Sequence, residues 1–142
     1  MIVSENPVIR CVGAIIHHPD GRLLLVKRAH EPGKGKWSLP GGRVERGETD
    51  HSAVQREVRE ETGLSVTVGE LVGRIFRPAA RGTYEILDYS CWSNEQELSA
   101  GDDAADAIWA DSATFATLDR DGALTEGLAE ILRSWNSLPR NE

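Results

Sequence analysis

Three glutamates fall within five residues of each other in a stretch with helical periodicity. Glu57, Glu60 and Glu61 lie in the run from Thr49 to Thr62, and at roughly 100° per residue they share an arc of about 100° on the helix. Like charges at this spacing repel each other, and the negative end of the helix dipole adds to the repulsion. Because Mg²⁺ and Mn²⁺ prefer carboxylate oxygens as ligands, the spacing favours a bound divalent cation.

A solvated acidic face is the alternative explanation of this cluster. Arg56 and Arg59 lie beside the glutamates and could pair with them on an ordinary exposed helix. The residues before the helix favour the metal site instead, because Gly41 and Gly42 allow a tight turn and a close approach of the backbone to a cation. Pro40 stiffens the entry to that turn.

The pattern around the cluster predicts one domain, residues 1–142, of the α+β class. Two runs at the start predict a β-hairpin, a loop rich in glycine and proline follows, and Gly63 fits the left-handed residue that ends the central helix. Two strands, an acidic loop, a short strand and an amphipathic helix capped by Thr125 complete the chain. The predicted elements are strands 8–18 and 22–28, loop 29–42, helix 49–62, strands 64–77 and 83–93, loop 94–106, strand 107–111 and helix 125–138.

The composition limits the partners. The net charge of −7 comes from 16 basic and 23 acidic residues, and a chain with no basic cluster is a poor candidate for binding long nucleic acid. The first residues lack the features of a signal peptide, and no apolar run is long enough to cross a bilayer, so we expect a cytoplasmic protein with no membrane partner. Cys11 and Cys91 lie in strand-like stretches and are expected to be buried small side chains. A homodimer stays possible.

The box from Gly42 to Leu64 resembles the Nudix box at every defined position. That box is written G-x5-E-x7-R-E-U-x-E-E-x-G-U, where U is aliphatic, and this chain fills it with Gly42, Glu48, Arg56, Glu57, Val58, Glu60, Glu61, Gly63 and Leu64. A chance match to its seven invariant positions is on the order of one in 10⁸ per starting residue. The resemblance implies the Nudix fold, an α/β/α sandwich in which a mixed central sheet has helices on both faces.

The resemblance also implies an activity, which is hydrolysis of a nucleoside diphosphate linked to another group. The cofactor would be Mg²⁺, with Mn²⁺ as a possible substitute, and the partner would be a small nucleotide substrate. By the same resemblance Glu57, Glu60 and Glu61 would be metal ligands, together with a backbone carbonyl near Gly41. Glu48 would sit in the loop before the helix, reach Arg56 and so orient the ligands.

The general base is left open by the box. Water attack on phosphorus needs a proton acceptor, and the resemblance offers Glu57 within the box or an acid on a later loop. The acidic loop contains Glu95, Glu97, Asp102 and Asp103. Of these, Glu97 is the first candidate.

Two residues outside the box are candidates for binding the substrate. Arg28 ends the second predicted strand, where Nudix proteins often carry a basic residue near the phosphates, and a surface arginine is the alternative. Trp37 could stack on a base or could instead anchor the loop by packing. Both remain expectations.

The substrate is predicted only broadly. Pro78 lies fourteen residues beyond the box, close to the proline that ADP-ribose hydrolases of the family often carry, so an ADP-ribose-like substrate is favoured. A mutator-type enzyme that hydrolyses oxidised nucleoside triphosphates is the first alternative. The second is a Nudix-fold sensor that binds a nucleotide without cleaving it.

Overall fold

The computed structural model describes residues 7–101 and 104–140, and within them the chain forms seven strands and three helices. In chain order these are β1 (Val8–Ile16), β2 (Leu23–Arg28), β3 (Trp37–Ser38), β4 (Gly41–Arg43), α1 (Asp50–Thr62), β5 (Thr67–Ala79), β6 (Gly82–Trp92), β7 (Ala104–Ala110), α2 (Ser112–Arg120) and α3 (Leu128–Ser134). This mixture of helices and largely antiparallel strands confirms the predicted α+β class.

The strands form two sheets. A mixed sheet has the order β4-β1-β6-β5, in which β1 runs parallel to β6 and the other neighbours are antiparallel. The other sheet, β3-β2-β7, is antiparallel.

The predicted turn between β1 and β2 is present, since His17 forms an antiparallel bridge with Leu23 and the His18 amide donates to the Arg22 carbonyl at 2.7 Å; the prediction that the two strands pair along their length is wrong, because they belong to different sheets. Most of β1 and of β2 is buried, so each strand must pair its backbone along both edges. Separate sheets give each strand two neighbours.

Helix α1 begins and ends where the sequence predicts. Thr49 caps it by accepting a hydrogen bond from the Ser52 amide at 3.1 Å, and the Ser52 hydroxyl accepts one from the Thr49 amide at 3.0 Å. Gly63 closes it in the left-handed conformation at φ 77°, and its amide donates to the Arg59 carbonyl. A cap of this kind stabilises a helix by about 1 kcal/mol, and both ends together fix which face carries the glutamates.

The helices cover both faces of the mixed sheet, as predicted. Consecutive side chains of β1 point to opposite cores: Ala14 and Ile16 face the core under α1, whereas Ile15 faces the core under α2 and α3. Helix α1 enters its core through Ala53, Val54 and Val58. The polar edge of α1 therefore lies at the margin of the sheet rather than inside it.

The C-terminal part differs from the prediction. The sequence pattern misses α2, in which Phe115 is the one buried side chain. Helix α3 follows Gly127 and has no side-chain cap, so the predicted cap at Thr125 is wrong. The reason lies in Trp37, whose backbone accepts a hydrogen bond from the Thr125 amide and bridges to Leu124, which holds this segment extended.

Both cysteines are buried and free, which confirms the prediction for Cys11 and Cys91. The short strands β3 and β4 occupy the end of the stretch predicted to be a loop. In the part of the chain that the structure describes, no helix has the length and apolar character needed to cross a bilayer.

Candidate active site

The guanidinium of Arg56 holds three glutamates. Its Nε and Nη2 donate to the two carboxylate oxygens of Glu48 at 2.7 and 2.9 Å. Its Nη1 donates to Glu57 at 2.7 Å and to Glu60 at 3.2 Å, and Nη2 also donates to the carbonyl oxygen of Arg43 at 3.0 Å. Because Glu48 lies in the loop before α1, the chain folds back across the eight-residue separation and makes the predicted contact.

This pairing keeps both partners charged. The two hydrogen bonds from Arg56, with a further bond from the Glu45 amide, lower the pKa of Glu48 to about 2. Hydrogen bonding to Glu48, and then to Glu57, raises the pKa of Arg56 above its ordinary value. A two-pronged arginine–carboxylate contact also fixes direction, so Nη1 is aimed at the acidic face of α1.

The three candidate metal ligands differ in exposure and contacts. Glu61 is 8% exposed, and the Glu57 and Glu60 side chains are 13% and 41% exposed. The amide of Gly41 donates to Oε1 of Glu61 at 2.8 Å. Among residues 7–101 and 104–140 no three acidic, histidine or cysteine side chains converge as a complete metal shell, since Glu57 and Glu60 are turned toward Arg56 and Glu61 toward Gly41.

These residues nevertheless fit a hard divalent cation. All three side chains offer carboxylate oxygens, which Mg²⁺ and Mn²⁺ prefer. Nη1 of Arg56 contacts both Glu57 and Glu60. Their carboxylate oxygens therefore already approach one positively charged group. The absence of a side chain at Gly42 leaves room there, because a Cβ on Gly42 would lie 2.6 Å from the Glu57 carboxyl carbon.

Adding that methyl group is a direct test of the packing. Gly42→Ala is expected to displace the Glu57 carboxylate and to weaken the binding of Mn²⁺ by about 10-fold or more, the range seen when groups that orient ligands are lost. Isothermal titration with Mn²⁺ measures the effect. In a Glu57→Gln background the same substitution should weaken binding little further, and an equal additional loss there would contradict the proposed contact.

The candidate bases are placed differently. Glu57 lies on the acidic face beside Arg56, whereas Glu97 is exposed and, among the described residues, forms no hydrogen bond or ion pair with the box glutamates. The loop that carries Glu97 does reach the helix end, since the amide of Ser99 donates to the Thr62 carbonyl at 2.9 Å. Glu95 instead accepts a hydrogen bond from the Ser65 amide. Asp102 and Asp103 lie outside the described residues.

The two predicted substrate-binding residues make protein contacts. Arg28 is half-buried, and its Nε donates to the Pro32 carbonyl at 2.5 Å. Trp37 packs against the core under α2 and α3, which is the anchoring alternative for this side chain. Pro78 lies in β5 opposite Thr83 and is exposed.

One supporting contact has no local signal in the sequence. Arg10 donates to both carboxylate oxygens of Asp50 at 2.9 and 2.7 Å, and the Tyr89 hydroxyl donates to the same carboxylate at 2.7 Å. Hydrogen bonding from Arg10 lowers the pKa of Asp50. The contact ties the first turn of α1 to β1 and β6, and its members lie about 40 residues apart in the chain.

Comparisons with known proteins agree with this fold. The family model described as the NUDIX domain matches residues 7–127. An ADP-ribose pyrophosphatase of Methanocaldococcus jannaschii is 41% identical over 108 residues, which cover 75% of this chain and 63% of that protein. An 8-oxo-(d)GTP phosphatase of Mycolicibacterium smegmatis is 34% identical over 97 residues, 68% of this chain and 30% of that protein.

The crystal structure of a MutT protein from Methanosarcina mazei Go1 has a TM-score of 0.81 at 23% identity and covers 94% of this chain and 96% of that one. This likeness confirms the Nudix fold. The chain spans less than two thirds of the length of the two relatives above. The family match, in contrast, extends from β1 to the residue before α3 and includes the whole box. This chain therefore belongs to the Nudix family.

Proposed function

We propose that this protein hydrolyses the pyrophosphate bond of a nucleoside diphosphate linked to another group, with the help of a divalent cation. The observation that carries the proposal is the arrangement around Arg56. One nitrogen of its guanidinium contacts both Glu57 and Glu60, while the neighbouring Glu61 is bound by the Gly41 amide. A family whose hydrolases generally need a divalent metal ion supplies the context.

The proposed ligands are Glu57, Glu60 and Glu61, with a backbone carbonyl near Gly41. Mg²⁺ is the proposed cofactor and Mn²⁺ its substitute. When bound, such a cation neutralises charge on the phosphoryl oxygens and lowers the pKa of a coordinated water. Because Arg56 is fixed by both oxygens of Glu48, Arg56 and Glu48 act by holding Glu57 and Glu60 in orientation.

Two carboxylates are proposed as proton acceptors for the attacking water. Glu57 is favoured by its place on the acidic face beside Arg56, and Glu97 is the candidate on the loop. Arg28 would offer positive charge to the phosphates. Trp37 would border the base site from β3, where its ring also packs against the core under α2 and α3. The two glutamates are proposed for their positions, Arg28 for its charge and Trp37 for its aromatic ring.

An ADP-ribose-like compound is the proposed substrate. The similarity to the Methanocaldococcus jannaschii ADP-ribose pyrophosphatase supports this choice, and a net charge of −7 fits a small ligand that brings its own cation better than long nucleic acid. The second candidate is an oxidised nucleoside triphosphate, which the similarity to the Mycolicibacterium smegmatis 8-oxo-(d)GTP phosphatase supports.

A substrate panel tests both candidates. ADP-ribose, 8-oxo-dGTP, GTP and a dinucleoside polyphosphate are incubated with Mg²⁺ or Mn²⁺, and the products are separated by ion-exchange chromatography. We expect AMP and ribose 5-phosphate from ADP-ribose. Preferred cleavage of 8-oxo-dGTP to its monophosphate would select the second candidate, and binding of these compounds without any cleavage would indicate a sensor.

Metal removal is expected to abolish the activity. When EDTA chelates the divalent ion, no cation links the clustered carboxylates to the phosphates. Cleavage should therefore fall to the rate without protein. Added Mg²⁺ should restore it. Cleavage that persists in EDTA, measured by the same chromatography, would refute the role proposed for Glu57, Glu60 and Glu61.

A further inference from the structure

One row of residues across the mixed sheet almost lacks side chains. Strand register places Gly41 of β4 beside Gly13 of β1, Gly13 beside Asp88 of β6, and Asp88 beside Gly73 of β5. Three of the four positions are therefore glycine. With strands about 4.8 Å apart, the row is about 14 Å long.

This row faces away from α1. The neighbours of Asp88 along β6, Leu87 and Tyr89, enter the core under α1, and side chains alternate along a strand, so Asp88 points to the opposite face. A Cβ on Gly13 would overlap Oδ1 of Asp88, which shows that the carboxyl group leans across Gly13 on that face.

The rows on either side do carry side chains. The next row on the same face, two residues away along each strand, consists of Arg43, Cys11, Ile86 and Ile75. On the other side lies the core under α2 and α3, from which the Trp135 ring covers Gly73. That ring occupies the place that a Gly73 side chain would take, so the shallow part of the row runs from Gly41 to Asp88, about 7 Å from the filled row of Arg43 and Cys11. We call Gly41, Gly13, Asp88 and Gly73 the glycine trough.

Asp88 is a buried acid to which the described residues supply no side-chain hydrogen bond. Its exposed fraction is 4%, and among the described residues no side-chain hydrogen bond or ion pair includes it. In the same residues no side-chain oxygen is both fully buried and without a partner, so the carboxyl of Asp88 keeps its small exposed area at the oxygens. Burial raises its pKa to about 7, which the charge of Arg77 only partly offsets.

A buried carboxyl that the protein leaves without a partner is costly. Its neighbours on both sides in the row are glycines; the Trp135 ring lies over Gly73, and the carboxyl itself leans over Gly13. This arrangement suits a ligand that supplies the missing donors. The carboxyl leans over Gly13, one strand spacing or about 5 Å from Gly41.

Gly41 connects the trough to the acidic site. Its amide binds Glu61 at 2.8 Å, and its own position is the first in the glycine row. A ligand whose phosphates lie near Gly41 would therefore place the group attached to them over Gly13 and the Asp88 carboxyl. In a nucleotide that group is the sugar, which offers neighbouring hydroxyl donors.

On the basis of the function proposed above, we propose that the glycine trough receives the nucleoside half of the substrate. Asp88 is its specificity-determining residue, and it accepts hydrogen bonds from the 2′- and 3′-hydroxyls of ribose. Ribonucleotides are then preferred over 2′-deoxyribonucleotides. Above its raised pKa of about 7 the Asp88 carboxyl is charged, and a hydrogen bond to a charged group is worth about 1.5–3 kcal/mol, so at such a pH loss of the 2′-hydroxyl should weaken binding about 10-fold or more.

Binding without catalysis tests this assignment. ADP and 2′-deoxy-ADP are titrated into the protein in EDTA, and their affinities are measured by calorimetry. We expect the wild-type protein to bind ADP about 10-fold more tightly than 2′-deoxy-ADP or better, and Asp88→Ala to bring the ratio of affinities close to one by weakening ADP more than 2′-deoxy-ADP, which keeps only the 3′-hydroxyl. Asp88→Asn, which keeps the shape of the side chain, should lose most of the ratio and serves if the alanine variant fails to fold.

Asp106→Asn is the matched control, because Asp106 is an exposed acid on β7 that accepts a hydrogen bond from the next amide, and it should keep the wild-type ratio. Equal affinities in the wild-type protein, an unchanged ratio in Asp88→Ala, or no binding of ADP at millimolar concentration would each overturn the proposal. The proposal would also be overturned if Asp88→Ala removed a preference for ADP over GDP but left the ratio of the ADP and 2′-deoxy-ADP affinities unchanged. Failure of the hydrolase proposal appears separately, as lack of cleavage with Mg²⁺.

Discussion

Glu57→Gln is expected to lower kcat/KM by about 10²–10⁴-fold, the range that removal of a proton acceptor produces. The change keeps the size of the side chain but removes its charge, so it loses strength as a metal ligand as well as its ability to take a proton. The amide oxygen can still accept the hydrogen bond that Arg56 donates at 2.7 Å, and we expect the melting temperature to change little. Steady-state kinetics with the best substrate of the panel measure the loss.

Two further glutamine variants separate the possible roles. Glu70→Gln is the control, because Glu70 is an exposed glutamate of β5 outside the box, and it should keep wild-type kinetics. Glu97→Gln decides the base. A loss of about 10²-fold or more would assign proton transfer to the loop, whereas wild-type activity would leave that role with Glu57. Full activity of Glu57→Gln would refute both of its proposed roles.

The acidic site could be predicted because its geometry is local. Once Thr49 and Gly63 fix the ends of one helix, the positions of Glu57, Glu60 and Glu61 on its face follow from 3.6 residues per turn. The contact of Arg56 with Glu48 needs only a short loop to fold back. Such short-range geometry is contained in the spacing of the residues.

The glycine trough could not be predicted because it depends on register between distant strands. Gly13 and Asp88 are 75 positions apart and become neighbours only through the parallel pairing of β1 with β6. The same strand pairing overturned the expected pairing of β1 with β2 along their length, since the spacing of β1 and β2 suits a turn but does not reveal that each strand has better partners elsewhere. The bridge between Trp37 and Leu124, which shortens α3, joins residues that lie even farther apart in the chain.

The unpartnered carboxyl of Asp88 is expected to make the protein less stable as the pH rises from about 4 to about 7. Burial raises the pKa of Asp88 from 3.8 to about 7 in the folded protein, so between these values the unfolded chain has released the proton that the folded protein still holds. Raising the pH then favours the unfolded chain. At 1.36 kcal/mol per pKa unit, the free energy of unfolding falls by at most about 4 kcal/mol.

Asp88→Asn should remove this dependence, because its amide has no proton to release in this range. The free energy of unfolding of the variant minus that of the wild-type protein is therefore expected to rise between pH 4 and 7 and to stay constant above, as measured by urea titration at each pH. Taking the difference cancels the titration of the other groups, including the Asp50 and Glu48 carboxyls whose pKa values arginines lower. A difference that does not change with pH would mean that Asp88 is solvated or paired like an ordinary surface acid, and the trough would then lose the unsatisfied acceptor on which its ligand depends.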